Sequence, residues 1–425
     1  MIIVDKYLDD KDPIRVGMIG CGFMGKAIAY QLEKTPGINL VAISNRTIEK
    51  PIRAFVKAGI NASNIFLAKN IKDLETNILN GVKVITEDPY LLCRSTQIDI
   101  IIEVTGTVEF ASSVILEALS NKKHVLMMNP EVDGTVGLIL KKYADNNGVI
   151  LSNSDGDQPG VLMNQLRYVK GIGIKPVLCG NIKGFHNIYG NPSTQNGWAE
   201  QWGQNVNMVT SFCDGTKISF EQAIVANAAD MTVAKRGMTA PVVEKGKHVK
   251  DCMDLFPLGQ ATQSSGYVDY IINAEPSPGV FIVGYCGDHF LMHYLNLFKM
   301  GKGPFYCFYQ PYHLCFFDVP NSIARAVLFR DSTMSPVKWN VDVITAAKIE
   351  LNEGDTLDCL GGYKTYGLAE DSVVVSENRL LPIGLSEGCV VKRKIERDQI
   401  LTYDDIEIPK NRICDRLRNE QNNLS

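Results

Sequence analysis

Gly20, Gly22 and Gly25 stand in the run Gly20-Cys21-Gly22-Phe23-Met24-Gly25. Before it lies an apolar stretch, Ile14 to Ile19. After it Ala27, Ile28, Tyr30, Gln31 and Leu32 are spaced for one buried helical face, and a second apolar stretch, Ile38 to Ile43, follows Pro36-Gly37. Strand, glycine loop, helix, strand is the context in which this spacing holds a dinucleotide. The first glycine permits the tight turn, the second lets the backbone approach a pyrophosphate, and the third lets helix and strand pack closely. The helix N-terminus then offers free N–H groups to anionic oxygens. Phe23 and Met24 complete the cofactor loop. At the end of the second strand an acid would bind the ribose 2′-hydroxyl of NAD, but the chain has Ser44-Asn45-Arg46. A missing acid beside an arginine suits a 2′-phosphate, so NADP(H) is favoured over NAD(H), with Asn45 and Arg46 in the cofactor set. Thr105 and Gly106 end the stretch Ile98 to Val104, and Asn129 ends the stretch His124 to Met128. Such strand ends line the crevice of a doubly wound sheet.

The groups able to move protons or hold charge come next. Glu131 and Asp133 follow one strand end, and Asp155 and Asp157 follow another in Ser154-Asp155-Gly156-Asp157-Gln158-Pro159-Gly160. Four acids at one crevice either chelate a divalent cation, Mg or Mn, through oxygen ligands or divide into general base and orienting group. The spacing does not choose between these, and helix capping is the plain alternative for Asp157. Lys183 lies in Gly180-Asn181-Ile182-Lys183-Gly184-Phe185 at the end of a strand from Pro176, where a lysine polarises a carbonyl or holds an anion; a snorkelling surface lysine is the alternative. Lys235-Arg236 is a basic pair in a loop, placed for an anionic substrate group. His313, with apolar neighbours on both sides, reads as a core histidine ahead of an acid or base.

The chain of 425 residues has length for two or three domains, and its 45% hydrophobic content supports a large core. A net charge of −4 gives no global field for nucleic acid or anionic membrane, and the expected partner is a small anionic molecule. No window reaches the ~18 apolar residues of a membrane span. Met1 to Lys11 carries charges where a signal peptide needs an apolar core. The 11 cysteines are scattered without a C-x-x-C pair and read as free thiols, so the expected location is cytoplasmic.

These residues need a scaffold of class α/β: a Rossmann doubly wound parallel sheet over residues 1–155, followed by an α+β substrate domain over 156–338. In the first, Phe55 to Glu87 reads as a partly helical insertion, and a helix is expected from Val136 to Asn146. In the second, Tyr267 to Ile272, Gly279 to Tyr285 and Phe305 to Tyr309 suggest a largely antiparallel sheet. After Asn340 the texture changes. Leu351 to Leu357 and Ile395 to Leu401 are similar polar turns, with short strands expected at Ser372 to Val375 and Cys389 to Lys392. Residues 339–412 read as a small β-rich domain and 413–425 as a frayed tail.

Taken in order, Gly20 to Gly25, Asn129 to Asp133, Asp155 to Gly160, Lys183-Gly184-Phe185, Lys235 to Met238, Gly303-Pro304 with Pro311 to Leu314, and the Leu351 and Ile395 turns resemble the homoserine-dehydrogenase-like oxidoreductases with a C-terminal SAF domain, the group that includes the deoxyxylulose-phosphate-reductoisomerase-like enzymes. The resemblance covers nearly the whole chain. It implies a Rossmann domain, an α+β catalytic and dimerisation domain, a β-clip SAF module, a homo-oligomer and a role in isoprenoid or carbohydrate metabolism. A basic residue often precedes Pro192 in that pattern, where this chain has Asn191. The expected activity is NAD(P)H-dependent reduction, with or without isomerisation, of a small polyhydroxylated, phosphorylated, sugar-like carbonyl compound. Lys183 would polarise or protonate the carbonyl, Asp155 or Glu131 would orient Lys183 or manage the hydroxyl proton, and Lys235 and Arg236 would hold the anionic end. Homoserine dehydrogenase and a sugar-modifying reductase of surface-polysaccharide synthesis are the rival enzymes. A non-catalytic NADP-binding regulator is the rival of another class; it would not need Asp155, Asp157 and Lys183 together.

Overall fold

The structure, a computed structural model, describes residues 12–424, so the charged stretch Met1 to Lys11 lies outside the described residues. The chain divides into two units. One gathers the residues through Asp157 with Leu314–Ser335 and those from Arg412; the other takes Gln158–His313 and Pro336–Asn411.

In the first unit β1 (Ile14–Ile19), α1 (Phe23–Leu32), β2 (Ile38–Ser44), α2 (Glu49–Lys57), β3 (Ile65–Leu67), α3 (Ile71–Leu79) and β4 (Lys83–Thr86) come first. Then follow α4 (Pro89–Arg94), β5 (Ile100–Glu103), α5 (Glu109–Ser120), β6 (His124–Met127), α6 (Pro130–Asn146) and β7 (Leu151–Asn153). The strands form a seven-stranded, all-parallel sheet in the order β3-β4-β2-β1-β5-β6-β7. The winding direction reverses between β1 and β5, which makes the sheet doubly wound. Both faces are covered: Ile100 and Ile102 enter one core and Ile101 the other. That is why these strands read as unbroken apolar runs instead of alternating ones.

The region Phe55 to Glu87, expected as an insertion, instead supplies β3, α3 and β4 of this sheet. β3 is a short edge strand with no buried residue, so it lacks the apolar run that marks its neighbours. A second difference concerns α6. It starts at Pro130, capped by the Asn129 side chain, and carries Glu131 and Asp133 in its first turn, with a kink at Val136 where the helix was expected to begin.

The second unit opens with α7 (Gln158–Gly171), β8 (Lys175–Lys183), α8 (Pro192–Trp202), α9 (Val206–Asp214) and α10 (Thr216–Ala229). It continues with β9 (Thr232–Val233), β10 (Tyr267–Ile272), β11 (Gly279–Tyr285), α11 (His289–Leu297) and β12 (Phe305–Gln310). Its five-stranded sheet runs β12-β11-β8-β10-β9. β11 is antiparallel to β8 and β12, but β10 is parallel to β8 and β9, so the sheet is mixed and not largely antiparallel. The stretch between β8 and β10, which includes α8, α9 and α10, provides the long crossover that a parallel pair needs. Asn191 caps α8 through a capping box with Thr194, a structural use for the asparagine before Pro192.

The chain then returns to the first unit as α12 (Val319–Leu328), whose Val319, Ile323 and Ala324 join the core with Val16 and Ile102. β13 (Val341–Ala347), β14 (Thr365–Asp371), α13 (Ser372–Glu377), β15 (Val390–Val391) and β16 (Ile406–Glu407) rejoin the second, and α14 (Ile413–Asn422) rejoins the first. The segment from 339 is not set apart from the catalytic segment. β13 and β14 pack on α10, which also packs on β8 and β10 and is buried from Thr216 to Asn227. Asn227 accepts from the N–H groups of Asn340 and Val341 at 2.8 and 2.9 Å, and Ser219 donates to the Gly367 carbonyl at 3.1 Å. The two similar turns pair with each other: Leu351 and Ile395 exchange both backbone hydrogen bonds at 2.9 Å.

Two expectations for this segment are corrected. Ser372 to Val375 is helical, because the Asp371 side chain accepts from the Val373 N–H and caps a turn that overrides the β preference of three valines. Residues 413–422 do not fray. Cys414 and Leu417 are fully buried against the first unit, and the Ile413 and Cys414 N–H groups each donate to the Glu109 carboxylate at 2.9 Å. Among the described residues no helix is long and apolar enough to cross a membrane.

Inside the second unit the buried Lys348 ammonium donates to Asp214 Oδ2 and the Gly190 carbonyl at 2.8 Å and to the Gly362 carbonyl at 2.9 Å. Three protons thus meet three acceptors. Lys348→Ala strands the Asp214 carboxylate, and denaturant unfolding is expected to show a loss of about 3–5 kcal/mol. The double variant Lys348→Met, Asp214→Leu should recover most of that loss.

Candidate active site

The glycine loop closes β1 onto α1. Gly20 has φ +105°, and a Cβ there would lie 2.9 Å from the Val104 carbonyl oxygen; at Gly25 it would lie 2.5 Å from the Gly20 oxygen. Both positions therefore demand glycine. Gly22 differs: a Cβ there would meet no heavy atom within 4 Å, so this side of the loop is open. Among the described residues no side chain caps α1, so its first-turn N–H groups are of the kind that an anion can take up. The open face and the uncapped helix fit a pyrophosphate. Phe23 is exposed at the loop and Met24 half-buried. Asn45 acts from beneath: its side-chain oxygen accepts from the Cys21 N–H at 3.0 Å and its amide donates to the Thr47 carbonyl at 2.8 Å. Arg46 is exposed. Cys21 itself is pushed up to about 11 by burial, against the pull of Lys26 and Lys50. The loop therefore has positive charge close to it, as phosphate binding requires.

The ends of β5 and β6 are joined by a residue that the motif reading passed over. Glu103 is fully buried. It accepts from the Thr105 N–H at 2.8 Å, from the Thr105 hydroxyl, and from the Asn129 amide at 3.0 Å. Asn129 also donates to the Thr107 carbonyl at 3.1 Å and caps α6 by accepting from the Val132 N–H at 3.2 Å. Thr105, Gly106 and Asn129 thus form one bracket around Glu103. Asn129 lies inside it, fully buried, and holds the crevice wall. Burial pushes the Glu103 carboxyl up to about 7, against the bonds from Thr105 and Asn129 and with the help of the nearby Glu131. Asp133, also buried, is raised to about 7 by burial against a bond from the Asn153 amide. Glu131 is buried in the same first turn of α6.

Asp155 is buried at the end of the first unit, and its own N–H donates to the Ser322 hydroxyl at 2.6 Å. The Cys315 thiol lies 3.6 Å from Asp157 Oδ1. Among the described residues Glu131, Asp133, Asp155 and Asp157 do not bring three ligand atoms within 4.8 Å of one another. Glu131 and Asp133 belong to the first turn of α6, and Asp155 and Asp157 to the loop after β7, which the Asp155 N–H bonds to Ser322 of α12.

In the second unit Lys183 ends β8, half-buried, with its ammonium donating to the Phe212 carbonyl and lying 5.9 Å from the centre of the Phe185 ring. Burial lowers its pKa from the ordinary lysine value, against the pull of Glu221, Cys213 and Asp214. The acid that acts most strongly on Lys183 within its unit is thus Glu221, one turn beyond Lys217 on α10 and, like it, buried. His186 is pushed down to about 4 by burial and by the Lys183 charge, so it is neutral at physiological pH. Asp155 and Glu131, expected to orient Lys183, fold in the other unit.

The basic pair divides. Lys235 is exposed, but Arg236 is in an ion pair with Glu370 of β14, and Gly237 N–H donates to the Ala369 carbonyl at 2.8 Å. Arg236 therefore anchors its loop to β14. His313, expected in the core, is half-buried.

Residues 20–149 match the family model described as homoserine dehydrogenase, NAD binding domain, and residues 156–319 the one described as oxidoreductase DRL, catalytic domain. The chain carries the domains of an NAD(P)-dependent oxidoreductase. Glyceraldehyde-3-phosphate dehydrogenase of Colletotrichum lindemuthianum is 27% identical over 145 residues, 32% of this chain and 43% of that protein. The enzyme of the same name from Colletotrichum gloeosporioides is 25% identical over 148 residues, 33% of this chain and 44% of that protein. The chain thus spans less than half the length of these curated relatives. Among solved structures, apo scyllo-inositol dehydrogenase from Lactobacillus casei is similar with a TM-score of 0.45 and 12% identity over 76% of this chain and 90% of that one. A 3-ketoreductase from Actinomadura kijaniata in complex with NADP has a TM-score of 0.39 and 15% identity over 77% and 93%. Likeness at that level carries nothing about activity.

The raised carboxyls set a pH dependence of stability. Glu103 moves from 4.5 to about 7 and Asp133 from 3.8 to about 7, so both hold a proton in the folded chain where the unfolded chain has lost it. Their contribution is fully present below the unfolded values and is lost as pH rises through about 7. Urea unfolding between about pH 5 and 7.5 should show stability falling, and Glu103→Gln should flatten that fall. An unchanged slope in the variant would assign the titration to other groups.

Proposed function

We propose that the chain reduces a small polyhydroxylated, phosphorylated, sugar-like carbonyl compound with NADP(H), and that a reductoisomerase of the 1-deoxy-D-xylulose 5-phosphate type is the specific form to test first. The observation that carries the reading is Lys183: an amine whose charge is opposed by burial, held at a strand end beside Glu221, in the segment that matches an oxidoreductase catalytic domain. In this reading Gly20, Gly22, Gly25 and the N-terminus of α1 take the pyrophosphate, with Phe23 and Met24 beside it. Asn45 fixes the loop, Arg46 takes the 2′-phosphate, and the Glu103 bracket presents Thr105 and Gly106. The cofactor supplies the hydride.

Lys183 polarises the substrate carbonyl and gives its oxygen a proton as charge develops there. A lysine with a lowered pKa exchanges that proton closer to neutral pH than an exposed one. Glu221 keeps the ammonium form accessible in spite of burial, because its carboxylate pulls the pKa back up. Lys235 stays available for an anionic substrate group, while Arg236 is held by Glu370. The β segment from 339 to 412 is assigned in the same reading to an SAF-like fold, and the working form to a cytoplasmic homo-oligomer with reduced thiols.

The test is NADPH oxidation with 1-deoxyxylulose 5-phosphate, with and without Mg²⁺ or Mn²⁺, and NADH run in parallel. Turnover that requires NADPH is expected. Lys183→Met should lower kcat by about 100-fold or more while NADPH still binds. Arg46→Ala should weaken NADPH binding about tenfold and leave NADH binding unchanged. Native-like turnover by Lys183→Met would remove that residue from the reaction. NADPH binding without turnover would keep the oxidoreductase reading and move the search to other phosphorylated sugars.

A further inference from the structure

The kink in α6 is held from the opposite end of the chain. In a regular helix the Thr135 carbonyl would accept from the Ile139 N–H. At Val136, inside the span of that bond, the backbone leaves helical geometry, with φ −139° and ψ 16°. The Gln421 side chain of α14 takes both of its ends: its oxygen accepts from the Ile139 N–H at 3.1 Å, and its amide donates to the Thr135 carbonyl at 3.4 Å. Arg418, one turn earlier, also donates to the Thr135 carbonyl at 3.2 Å. Gln421 and Arg418 are buried. A side chain inserted into the helical ladder is one of the few recognised causes of a sharp kink. The Thr135 hydroxyl reinforces it by donating to the Glu131 carbonyl at 2.6 Å.

The kink decides where the first turn of α6 goes. A Cβ on Gly137 would lie 1.8 Å from Asp133 Oδ1, so the Asp133 carboxylate occupies the space that a side chain at 137 would fill, and the Asn153 amide donates to it there. At the other end of the same turn, Asn129 caps the helix and joins Glu103 and Thr107. One short segment, 129–137, is therefore fixed by the crevice bracket in front and by the C-terminal helix behind.

We propose that Gln421 is a positioning residue for the cofactor site: by splinting the α6 kink it sets the Asn129–Asp133 turn against the Glu103–Thr105 bracket. The proposal rests on the reading that the first unit binds a nicotinamide cofactor. α14 itself is docked independently of Gln421, by Leu417 in the core, by the Glu109 carboxylate on its first N–H groups, and by the Tyr143 hydroxyl donating to Glu420 at 2.7 Å. Loss of the Gln421 bonds therefore releases the kink without releasing the helix.

The experiment measures NADPH affinity by fluorescence titration of the full chain and its variants, at a temperature where circular dichroism shows each one folded. Gln421→Met keeps the volume and removes both hydrogen-bonding groups. Gln421→Glu keeps an acceptor for Ile139 but sets a carboxylate oxygen against the Thr135 carbonyl. Both are expected to raise the Kd for NADPH about tenfold and to speed amide exchange at Ile139. If packing alone mattered, the methionine variant would bind like the native chain, and a Kd within twofold of native in both variants overturns the proposal. Should one variant fail to fold, the other decides. A native chain that binds no NADPH sinks this proposal together with the reading it rests on, whereas native binding with undisturbed variants sinks this proposal alone.

Discussion

Glu103 ends a strand in the interior of a sheet that is covered on both faces, and a carboxylate in that position cannot be solvated by water. It must be solvated by the chain. That requirement draws in the Thr105 N–H and hydroxyl on one side and the Asn129 amide on the other. Asn129 in turn caps α6, so the start of that helix is dictated by the same carboxylate. The direction of α6 then depends on the kink that α14 supports. A single buried acid thus connects the strand ends, the helix that follows them and the final helix of the chain.

The second unit solves two problems of buried charge in two ways. Lys348 and Asp214 neutralise each other with every ammonium proton bonded, an arrangement that locks the β13–β14 layer to the helices before it. Lys183 has no such complement of close acceptors: its bonded acceptor is the Phe212 carbonyl, and its carboxylate neighbour Glu221 acts through the field. The first lysine meets three bonded acceptors, whereas burial lowers the pKa of the second from the ordinary lysine value.

What was legible in the sequence followed from local rules. The β1–loop–α1–β2 unit is written in contiguous residues, since each glycine answers a steric demand set within a few positions. The strands Ile100–Glu103 and His124–Met127 announced themselves as apolar runs because both of their faces are covered. β3 did not, because an edge strand needs no such run. α14 was illegible for the opposite reason. Its charged and amide side chains look solvated in sequence, yet Arg418 and Gln421 are buried by partners at Thr135 and Ile139, far away along the chain. Glu103 did leave a signal: an acid directly after Ile100-Ile101-Ile102 in a buried run needs a partner. The motif template, which looks for glycines and a later acid, has no place for it. The acids at 131, 133, 155 and 157 left their roles open for a related reason, since closeness in sequence to strand ends does not fix where carboxylates point.

The first unit is assembled from three separated stretches of chain, and the last of them holds the splint for α6. On a ribosome adding roughly 5–20 residues each second, the stretch between Asp157 and Arg412 takes on the order of 13–50 seconds to emerge. Throughout that interval the nucleotide-binding sheet has its strands but lacks α14, and for part of it α12 as well. The second unit, inserted between those stretches, is synthesised whole before the first can close. Packing order therefore runs against chain order: the first unit gains its α14 contacts only after the whole of the second unit has been made.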